Sequence, residues 1–243
     1  MSFLTYDLHV HSCLSPCGDD TSTPAAIAGM AKLNGLDVVA LTDHNTAQNC
    51  PAFFRAARHY GVIPVAGMEL TTAEDIHVVC LFRSLEGALA FDSALEEFRA
   101  AVPNRPDIFG NQRIVDEEDQ LVREIDNLLI NALGLSIEQV VETVVPYGGA
   151  AFPAHVEKES NGILAILGAF PLSCGFTAAE VSEKGKIPLV QQRCGLSENR
   201  FLVSSDAHVL WNLKEGGTPL PFEIRNPERA ADELVDWLQR SEK

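Results

Sequence analysis

Short apolar segments alternate with stretches of helical period along most of the chain. Because apolar runs bounded by turn residues are typical of buried strands, we predict strands over residues 3–10, 38–42, 62–70, 77–82, 150–155, 178–182 and 201–205. Apolar residues at helical spacing predict helices over residues 24–33, 51–61, 85–101, 117–133, 136–145 and 227–240. This alternation indicates an α/β chain with a parallel sheet, either open or closed into a barrel.

Several of the predicted helix ends carry specific signals. Thr23 and Pro24 are typical of the first positions of a helix, and Ser136 with Gln139 forms a capping box. The acidic run 116–119 is interpreted as a helix start, where carboxylates favour the helix dipole. Residues 103–113 interrupt the helical pattern, and we interpret them as a surface loop within one domain, with a lid over a site as the alternative.

The first strand carries three polar side chains of the metal-ligand type. Alternate side chains of a strand share one face, so Asp7, His9 and His11 are expected to project together, opposite Leu8 and Val10. Imidazole and carboxylate together suit Zn, Mn or Fe. A hydrated strand face is the alternative, and the His-x-His pattern alone does not decide between them.

The positions of the other histidines favour the metal. Six of the seven histidines lie at predicted strand ends, and the exception, His59, falls late in a helix. Active groups of α/β folds gather where strands end and loops begin. The residues at these ends are His9, His11, His44, Glu69, His77, His155, Asp206 and His208.

Taken together, these motifs resemble the polymerase and histidinol phosphatase family, known as PHP. The resemblance covers nearly the whole chain and rests on Asp7-Leu8-His9-Val10-His11-Ser12, Thr42-Asp43-His44-Asn45, Gly67-Met68-Glu69, Pro153-Ala154-His155 and Ser204-Ser205-Asp206-Ala207-His208. It implies a distorted TIM-like (β/α)7 barrel, a single domain over residues 1–243, and a site for two to three divalent metal ions (Zn, Fe or Mn).

The resemblance also implies the ligands of each metal. They are His9, His11, Glu69 and Asp206 for the first metal, Glu69, His77 and His155 for the second, and His44, His208 and Cys17 for the third. Many relatives have His where this chain has Cys17, whose thiolate suits Zn or Fe better than Mn or Mg. A loop thiol without a metal is the alternative, with Cys13 as a nearby competitor. Asp7 is expected to orient a histidine through its free ring nitrogen rather than to bind a metal. Asp43 is expected either to do the same or to cap the following turn.

The chemistry expected of this family follows from the metals. Two cations that share the Glu69 carboxylate lower the pKa of a bridging water, so hydroxide can attack phosphorus directly near neutral pH. We therefore predict a phosphoesterase acting on a small phosphorylated metabolite or nucleotide, with Glu69, Asp206 and His208 as the catalytic residues. Lys158 and Arg193 are candidates for holding the phosphate, and solvated surface positions are the alternative for both.

Composition narrows the expected partners and location. The 18 Lys and Arg residues stand against 34 Asp and Glu residues, a net charge of −16, which disfavours a long nucleic acid. The six irregularly spaced cysteines favour buried thiols over a disulfide framework. We find no long apolar run and no signal-like N-terminus, so we expect no membrane span and a cytoplasmic protein. The oligomeric state is not predicted.

Three alternative functions stay open. A phosphodiesterase or exonuclease on short oligonucleotides would use the same metals. An amide hydrolase often has a carboxylated lysine as the bridging ligand, and Glu69 in that place favours phosphate chemistry. A non-catalytic metal-binding PHP module typically has lost ligands, whereas this chain keeps them all, with Cys17 as the one departure.

Overall fold

The computed structural model describes residues 3–240 and alternates strands with helices over most of that range. The ten strands of this part of the chain are β1 (Thr5–Val10), β2 (Val38–Leu41), β3 (Ile63–Thr71), β4 (His77–Phe82), β5 (Arg113–Val115), β6 (Leu121–Glu124), β7 (Gly149–Pro153), β8 (Ala179–Val181), β9 (Phe201–Val203) and β10 (Thr218–Pro219). Its eight α-helices are α1 (Pro24–Leu33), α2 (Cys50–Tyr60), α3 (Leu85–Ala94), α4 (Pro106–Phe109), α5 (Val140–Val144), α6 (Ile163–Leu167), α7 (Ile187–Cys194) and α8 (Ala230–Gln239).

A six-stranded sheet in the order β10-β1-β2-β3-β4-β7 forms the centre of the fold. β1, β2 and β3 are parallel, whereas β4 is antiparallel to both of its neighbours. Only residues 72–76 separate β3 from β4, and parallel neighbours need a crossover of a dozen residues or more. The prediction of a parallel sheet is therefore wrong at β4.

β8 and β9 form a separate parallel pair. At one end the Val156 N–H donates to the Glu180 carbonyl (2.9 Å), and at the other the His11 N–H donates to the Ala207 carbonyl (2.9 Å). These single bonds connect the pair to the segment after β7 and to β1 without continuing the ladder. The α/β architecture with a curled sheet is thus confirmed, whereas a closed seven-stranded barrel is not.

Alternate residues of the buried strands pack on opposite sides of the sheet. Val39 and Leu41 of β2 belong to the apolar core that includes residues of α1 and α2, whereas Val38 and Ala40 pack in a second core with residues of α8. In β1, however, Leu8 and Val10 join different cores, because the β1–β2 register shifts between Asp7 and Val10. The simple alternation predicted for β1 is therefore interrupted.

The predicted cap of α1 is confirmed, whereas the helix predicted over 136–145 is shorter, because α5 begins only at Val140, after the residues of the predicted capping box. The Thr23 hydroxyl accepts the Ala26 N–H at the start of α1, and the Gln139 side chain accepts the Ser136 N–H in the predicted capping box (3.1 Å). The helix predicted over 85–101 is shorter: α3 ends at Ala94 and a 3-10 turn continues to Phe98. No helix among residues 3–240 is long and apolar enough to cross a membrane.

Residues 113–124 differ most from the prediction. β5 and β6 form an antiparallel hairpin where the sequence predicted a helix over 117–133. The Asp116 carboxylate accepts the N–H groups of Glu118 (3.0 Å) and Gln120 (2.9 Å), and Asp119 has a φ of 60°. Because an aspartate that binds the backbone two residues on is typical of turns, the acidic run makes a turn rather than a helix start.

The segment around this hairpin lies against the carboxyl ends of β1 to β3. The Arg113 N–H donates to the Cys13 carbonyl (3.1 Å), and the Leu133 N–H donates to the Thr71 carbonyl (2.9 Å). The Asn45 side chain donates to the Leu129 carbonyl (2.6 Å). Residues 103–133 therefore form a wall beside the strand ends that were predicted to carry the site.

Candidate metal centre

The fully buried Glu69 carboxylate of β3 is the centre of a cluster of histidines. Its two oxygens face five imidazole rings. Glu69 Oε1 lies 2.9 Å from His77 Nδ1, 3.2 Å from His9 Nε2 and 3.4 Å from His155 Nε2, and Oε2 lies 3.0 Å from His44 Nδ1 and 3.4 Å from His11 Nε2. β3 can bring Glu69 this deep because Gly67 beside it packs tightly: a Cβ there would lie 2.7 Å from the Cys80 carbonyl oxygen.

Asp206 is the fourth member of a group that also contains Glu69, His9 of β1 and His11 in the loop after β1. Asp206 Oδ1 lies 3.4 Å from both His9 Nε2 and His11 Nε2. Two ligand atoms that each lie about 2.1 Å from one ion, at tetrahedral or octahedral angles, are about 3.0–3.4 Å apart. The separations observed around Glu69 and Asp206 have this size.

Three overlapping groups of ligand atoms are compact enough to hold an ion, with all atoms of a group within 4.8 Å of one another. The first metal group is His9, His11, Glu69 and Asp206, the second is His44, Glu69 and His77, and the third is His11, His44 and His208. Glu69 belongs to the first two groups, as expected of a bridging ligand.

Many polar atoms of this cluster are buried and have no hydrogen-bond partner among residues 3–240. The buried unpartnered atoms are His9 Nε2, His11 Nε2, His44 Nδ1, His77 Nε2, His155 Nδ1, Asp206 Oδ1 and both oxygens of Glu69. Nearly all buried polar atoms in proteins are paired, and an unpaired one costs about 1–3 kcal/mol. Divalent ions in the groups would satisfy the lone pairs on the Glu69 and Asp206 oxygens and on His9, His11 and His44, so these residues fit the metals that the sequence predicted. The unpartnered nitrogens of His77 and His155 are on the far side of each ring from Glu69.

Several residues of the cluster are held in the protonation state that can bind a metal, which is neutral for histidine and ionised for aspartate. Burial lowers the pKa of His44 to about 3 and of His208 to about 4, so both rings are neutral at pH 7, as metal binding requires. Burial alone would raise the pKa of Asp206, but the neighbouring His9 and His11 outweigh it and hold that pKa well below its usual range. His9 and His11 are the exceptions. Burial opposes the charge of both rings, but the carboxylates of Glu180, Glu69 and Asp206 hold the pKa of His9 well above its usual range, and those of Asp206 and Glu69 raise the pKa of His11 to about 8.

All eight predicted His, Glu and Asp ligands meet in this cluster, but their grouping differs from the prediction. His155 contacts Glu69 without joining the second group, and His44 is shared by the second and third groups. Cys17 is not brought in: its side chain is exposed, and among the described residues it belongs to none of the groups. The assignment of ligands to individual ions stays a prediction.

The two predicted phosphate-binding residues lie in different places. Lys158 is at the cluster, where its Nζ donates to Asp206 Oδ2 (2.6 Å). Burial opposes its charge, but the Asp206 carboxylate more than offsets this and raises the pKa of Lys158. Arg193 instead lies on α7 and donates to the carbonyls of Leu164 and Gly168 (both 3.1 Å). The structure therefore gives no support to a phosphate contact by Arg193.

A second layer of polar residues orients the histidines. Asp43 Oδ1 accepts the Ser15 hydroxyl (2.8 Å), and the Ser15 oxygen lies 2.9 Å from His11 Nδ1. Asp43 thus supports a ligand, as predicted, through an intermediate serine. Asp7 supports the site differently from the prediction, because its carboxylate accepts the backbone N–H of Ser205 (3.1 Å), one residue before Asp206, rather than a histidine ring.

Sequence reasoning missed Glu180. This buried residue of β8 places Oε1 2.9 Å from His9 Nδ1. The one signal in the sequence is a single carboxylate inside an otherwise apolar predicted strand, Ala178-Ala179-Glu180-Val181.

Backbone strain is concentrated around the cluster. Non-glycine residues with positive φ include Cys17 (67°), Asn45 (54°), His155 (28°) and Asp206 (52°), all of which are site candidates or neighbours of one. Such conformations are unfavourable for residues with a Cβ and are typical of functional sites held in place by their surroundings.

Sequence comparison identifies the family. The family model described as "PHP domain" matches residues 7–136, more than half of the chain. An error-prone DNA polymerase of Symbiobacterium thermophilum is 37% identical over 87 residues, which cover 36% of this chain and 8% of the polymerase. A 5'-3' exoribonuclease of Haemophilus influenzae is 32% identical over 103 residues, covering 39% of this chain and 36% of that protein. The matches therefore span less than half the length of these relatives.

Solved structures share the fold at low sequence identity. A protein of Bifidobacterium adolescentis assigned as a metal-dependent phosphoesterase is 17% identical, with a TM-score of 0.57 over 97% of this chain and 96% of its own. The lesion-specific endonuclease Q of Pyrococcus furiosus is 18% identical, with a TM-score of 0.59 over 93% of this chain and 50% of its own.

The sequence motifs, the geometry of the cluster and the match to the family model all indicate the same family. The chain therefore belongs to the PHP domain family, and the enzyme class predicted from its motifs, a metal-dependent hydrolase of phosphate ester bonds, is the class of that family.

Proposed function

We propose that this protein hydrolyses the phosphate ester of a small metabolite or nucleotide with the help of two to three divalent metal ions. The observation that carries the proposal is the Glu69 carboxylate, whose two buried, unpartnered oxygens face five histidine ring nitrogens at 2.9–3.4 Å. A carboxylate shared between ion sites is the arrangement that two-metal phosphoester hydrolysis needs.

The residues of the three metal groups would hold the ions, with Cys17 proposed as a further ligand of the third group. When bound, divalent ions supply hydroxide near neutral pH and stabilise negative charge on phosphate oxygens. Because hydroxide is the nucleophile, no serine or cysteine of the chain has to form a covalent intermediate. The proposed barrel, seven strands in one domain over residues 1–243, would place all of these ligands at one end.

The substrate would enter from the side of Asp206, His208 and Lys158. Their side chains are 15%, 28% and 39% exposed, whereas the other predicted histidine and glutamate ligands are at most 9% exposed. The Lys158 ammonium, already held by one carboxylate oxygen of Asp206, is placed to contact an anionic group that reaches the ions. We propose that it binds the phosphate.

A nuclease or phosphodiesterase is the second candidate function. It is favoured by the sequence similarity to the 5'-3' exoribonuclease and by the fold shared with endonuclease Q, which has been seen in a complex with a 27-mer duplex substrate. The prediction against a long nucleic acid is accordingly not confirmed. The net charge of −16 still favours a small substrate.

Metal content and model-substrate hydrolysis test the proposal together. We expect two to three ions per chain by elemental analysis, and faster turnover of p-nitrophenyl phosphate than of bis(p-nitrophenyl) phosphate by the metal-loaded protein. A preference for the diester would replace the leading function with the nuclease reading. Absence of bound metal after supplementation with Zn, Mn and Fe would refute both.

A further inference from the structure

We infer that Glu180 is a positioning residue that fixes the orientation of His9 and connects the first metal group to the segment after β7 that carries His155. The inference rests on the proposed function, because it concerns the same cluster. It assigns a role to a residue that no motif of the chain contains and that touches none of the three metal groups except through His9.

One oxygen of Glu180 serves two ligand residues at once. Glu180 Oε1 lies 2.9 Å from His9 Nδ1 and accepts the backbone N–H of His155 at 3.2 Å. Glu180 is only 1% exposed, so water does not compete for these bonds. His9 is a predicted ligand of the first ion and His155 of the second, so a single carboxylate spans both.

The chemistry of the contact sets the tautomer of His9. An ionised carboxylate can only accept hydrogen bonds, so the proton of the neutral imidazole must sit on Nδ1, facing Glu180. The lone pair is then on Nε2, which is the atom that faces Glu69 (3.2 Å) and Asp206 (3.4 Å). A histidine ligand held through its second nitrogen by a carboxylate is both oriented and made more basic.

The remaining contacts of Glu180 indicate that it is not simply a packing residue. Its neighbours in β8, Ala179 and Val181, are fully buried and apolar, so a carboxylate at this position is costly. Its second oxygen, Oε2, is buried without a hydrogen-bond partner. A hydrophobic residue would avoid this cost, whereas only an acceptor at Oε1 can hold both His9 and His155.

Loss of the acceptor at Glu180 should therefore weaken metal binding. Glu180→Gln keeps the shape and can still accept from His9 and His155 through its amide oxygen, with the N–H₂ group in the place of the unpartnered Oε2, so it should retain most of the affinity. Glu180→Ala removes the acceptor. For this variant we expect the dissociation constant of the tightest Zn ion, measured by competition with a chelating dye, to rise about 10- to 100-fold, as is typical for outer partners of ligands. Long-range 1H–15N spectra of the metal-free protein should show a hydrogen-bonded proton on His9 Nδ1 in the wild type and in Glu180→Gln, and the loss of that hydrogen bond in Glu180→Ala.

A nearby glutamate provides the matched control. Glu157 accepts the N–H and hydroxyl of Ser182 and lies 3.3 Å from Lys186, but it contacts no residue of the cluster. Glu157→Ala should leave the Zn dissociation constant and the His9 spectrum unchanged.

The outcomes separate the inference from the proposed function. A folded Glu180→Ala protein with wild-type Zn affinity and a wild-type His9 spectrum would overturn the role of Glu180, while metal binding by the wild type leaves the proposed function intact. If the wild type binds no metal, the proposed function fails. The His9 spectrum still decides the inference in that case, because it is recorded without metal.

Discussion

The cluster has a buried side and an open side, and they are built differently. His9, His44, Glu69, His77 and His155 lie in or next to strands of the central sheet and are almost fully buried. Cys17, Lys158, Asp206 and His208 lie in loops and are partly or largely exposed. The comparison indicates that the buried side supplies the shared carboxylate and most of the ring ligands, whereas the open side supplies the remaining ligands, Asp206 and His208, and determines what reaches the ions.

The contacts that hold the residues in place also differ between the buried side and the open side. The rings of the buried side are held by a carboxylate in a strand, since Glu180 faces His9 and Glu69 faces five rings. On the open side, Lys158 has Asp206 as its partner, and the Cys17 N–H is held by the Phe109 carbonyl (3.0 Å). Substitutions on the buried side, and of the open-side ligands Asp206 and His208, should therefore change metal content and activity together, whereas substitution of Lys158 should change them separately.

Glu69→Gln should have the largest effect. The amide keeps the volume of the side chain but presents an N–H₂ group to ring nitrogens that face two anionic oxygens at present. We expect activity to fall by more than about 100-fold, since even outer partners of ligands cost about 10- to 100-fold. Metal content should fall with it, as measured by elemental analysis of the purified protein.

The control for this experiment is Glu74→Gln. Glu74 also lies close to β3, but its carboxylate accepts the Ile137 N–H (3.0 Å) outside the cluster. It should keep full metal content and activity. An active, fully metallated Glu69→Gln protein would show that Glu69 is not the bridging ligand.

The buried side is also the part that could be predicted from the sequence. Strand ends of an α/β fold converge on one edge, so a histidine or carboxylate after each apolar run was enough to bring the eight residues together. The shift in the register of β1 against β2, between Asp7 and Val10, could not be predicted, because the sequence pattern assumes strict alternation of side chains along a strand. For that reason the role of Asp7 was misjudged, although its proximity to the site was right.

Features that depend on tertiary contacts could not be predicted. The apolar spacing over 117–133 mimics a helix, but the hairpin is favoured because the Asp116 carboxylate binds the backbone of its own turn. Glu180 was missed because one carboxylate in an apolar strand carries no motif. The contacts of Arg193 with the carbonyls of Leu164 and Gly168 depend on how the helices pack, which the sequence pattern does not show.

Lys158→Ala should have an intermediate effect that is confined to substrate binding. The lysine donates to Asp206 but is not a ligand, so metal content should be retained. A hydrogen bond to a charged group contributes about 1.5–3 kcal/mol, and we therefore expect KM for p-nitrophenyl phosphate to rise about tenfold or more. Steady-state kinetics at saturating metal would measure this.

Arg193→Ala is the matched comparison for Lys158→Ala. Because the Arg193 guanidinium binds the carbonyls of Leu164 and Gly168, its loss should lower thermal stability slightly and leave KM unchanged. The opposite pattern, with KM raised by Arg193→Ala and not by Lys158→Ala, would exchange the roles proposed for the two residues.

Cys17→Ser should have the smallest effect, and it tests whether the open side supplies a ligand in addition to Asp206 and His208. The third metal group has three histidines without Cys17, so an ion can still bind when the thiol is lost. Because serine is a weaker ligand for Zn than a thiolate, we expect only the weakest of the bound ions to lose affinity, seen as one step in a Zn titration with the other steps unchanged. If every step is unchanged, Cys17 is a loop thiol, and the cluster is closed on its open side by Asp206 and His208 alone.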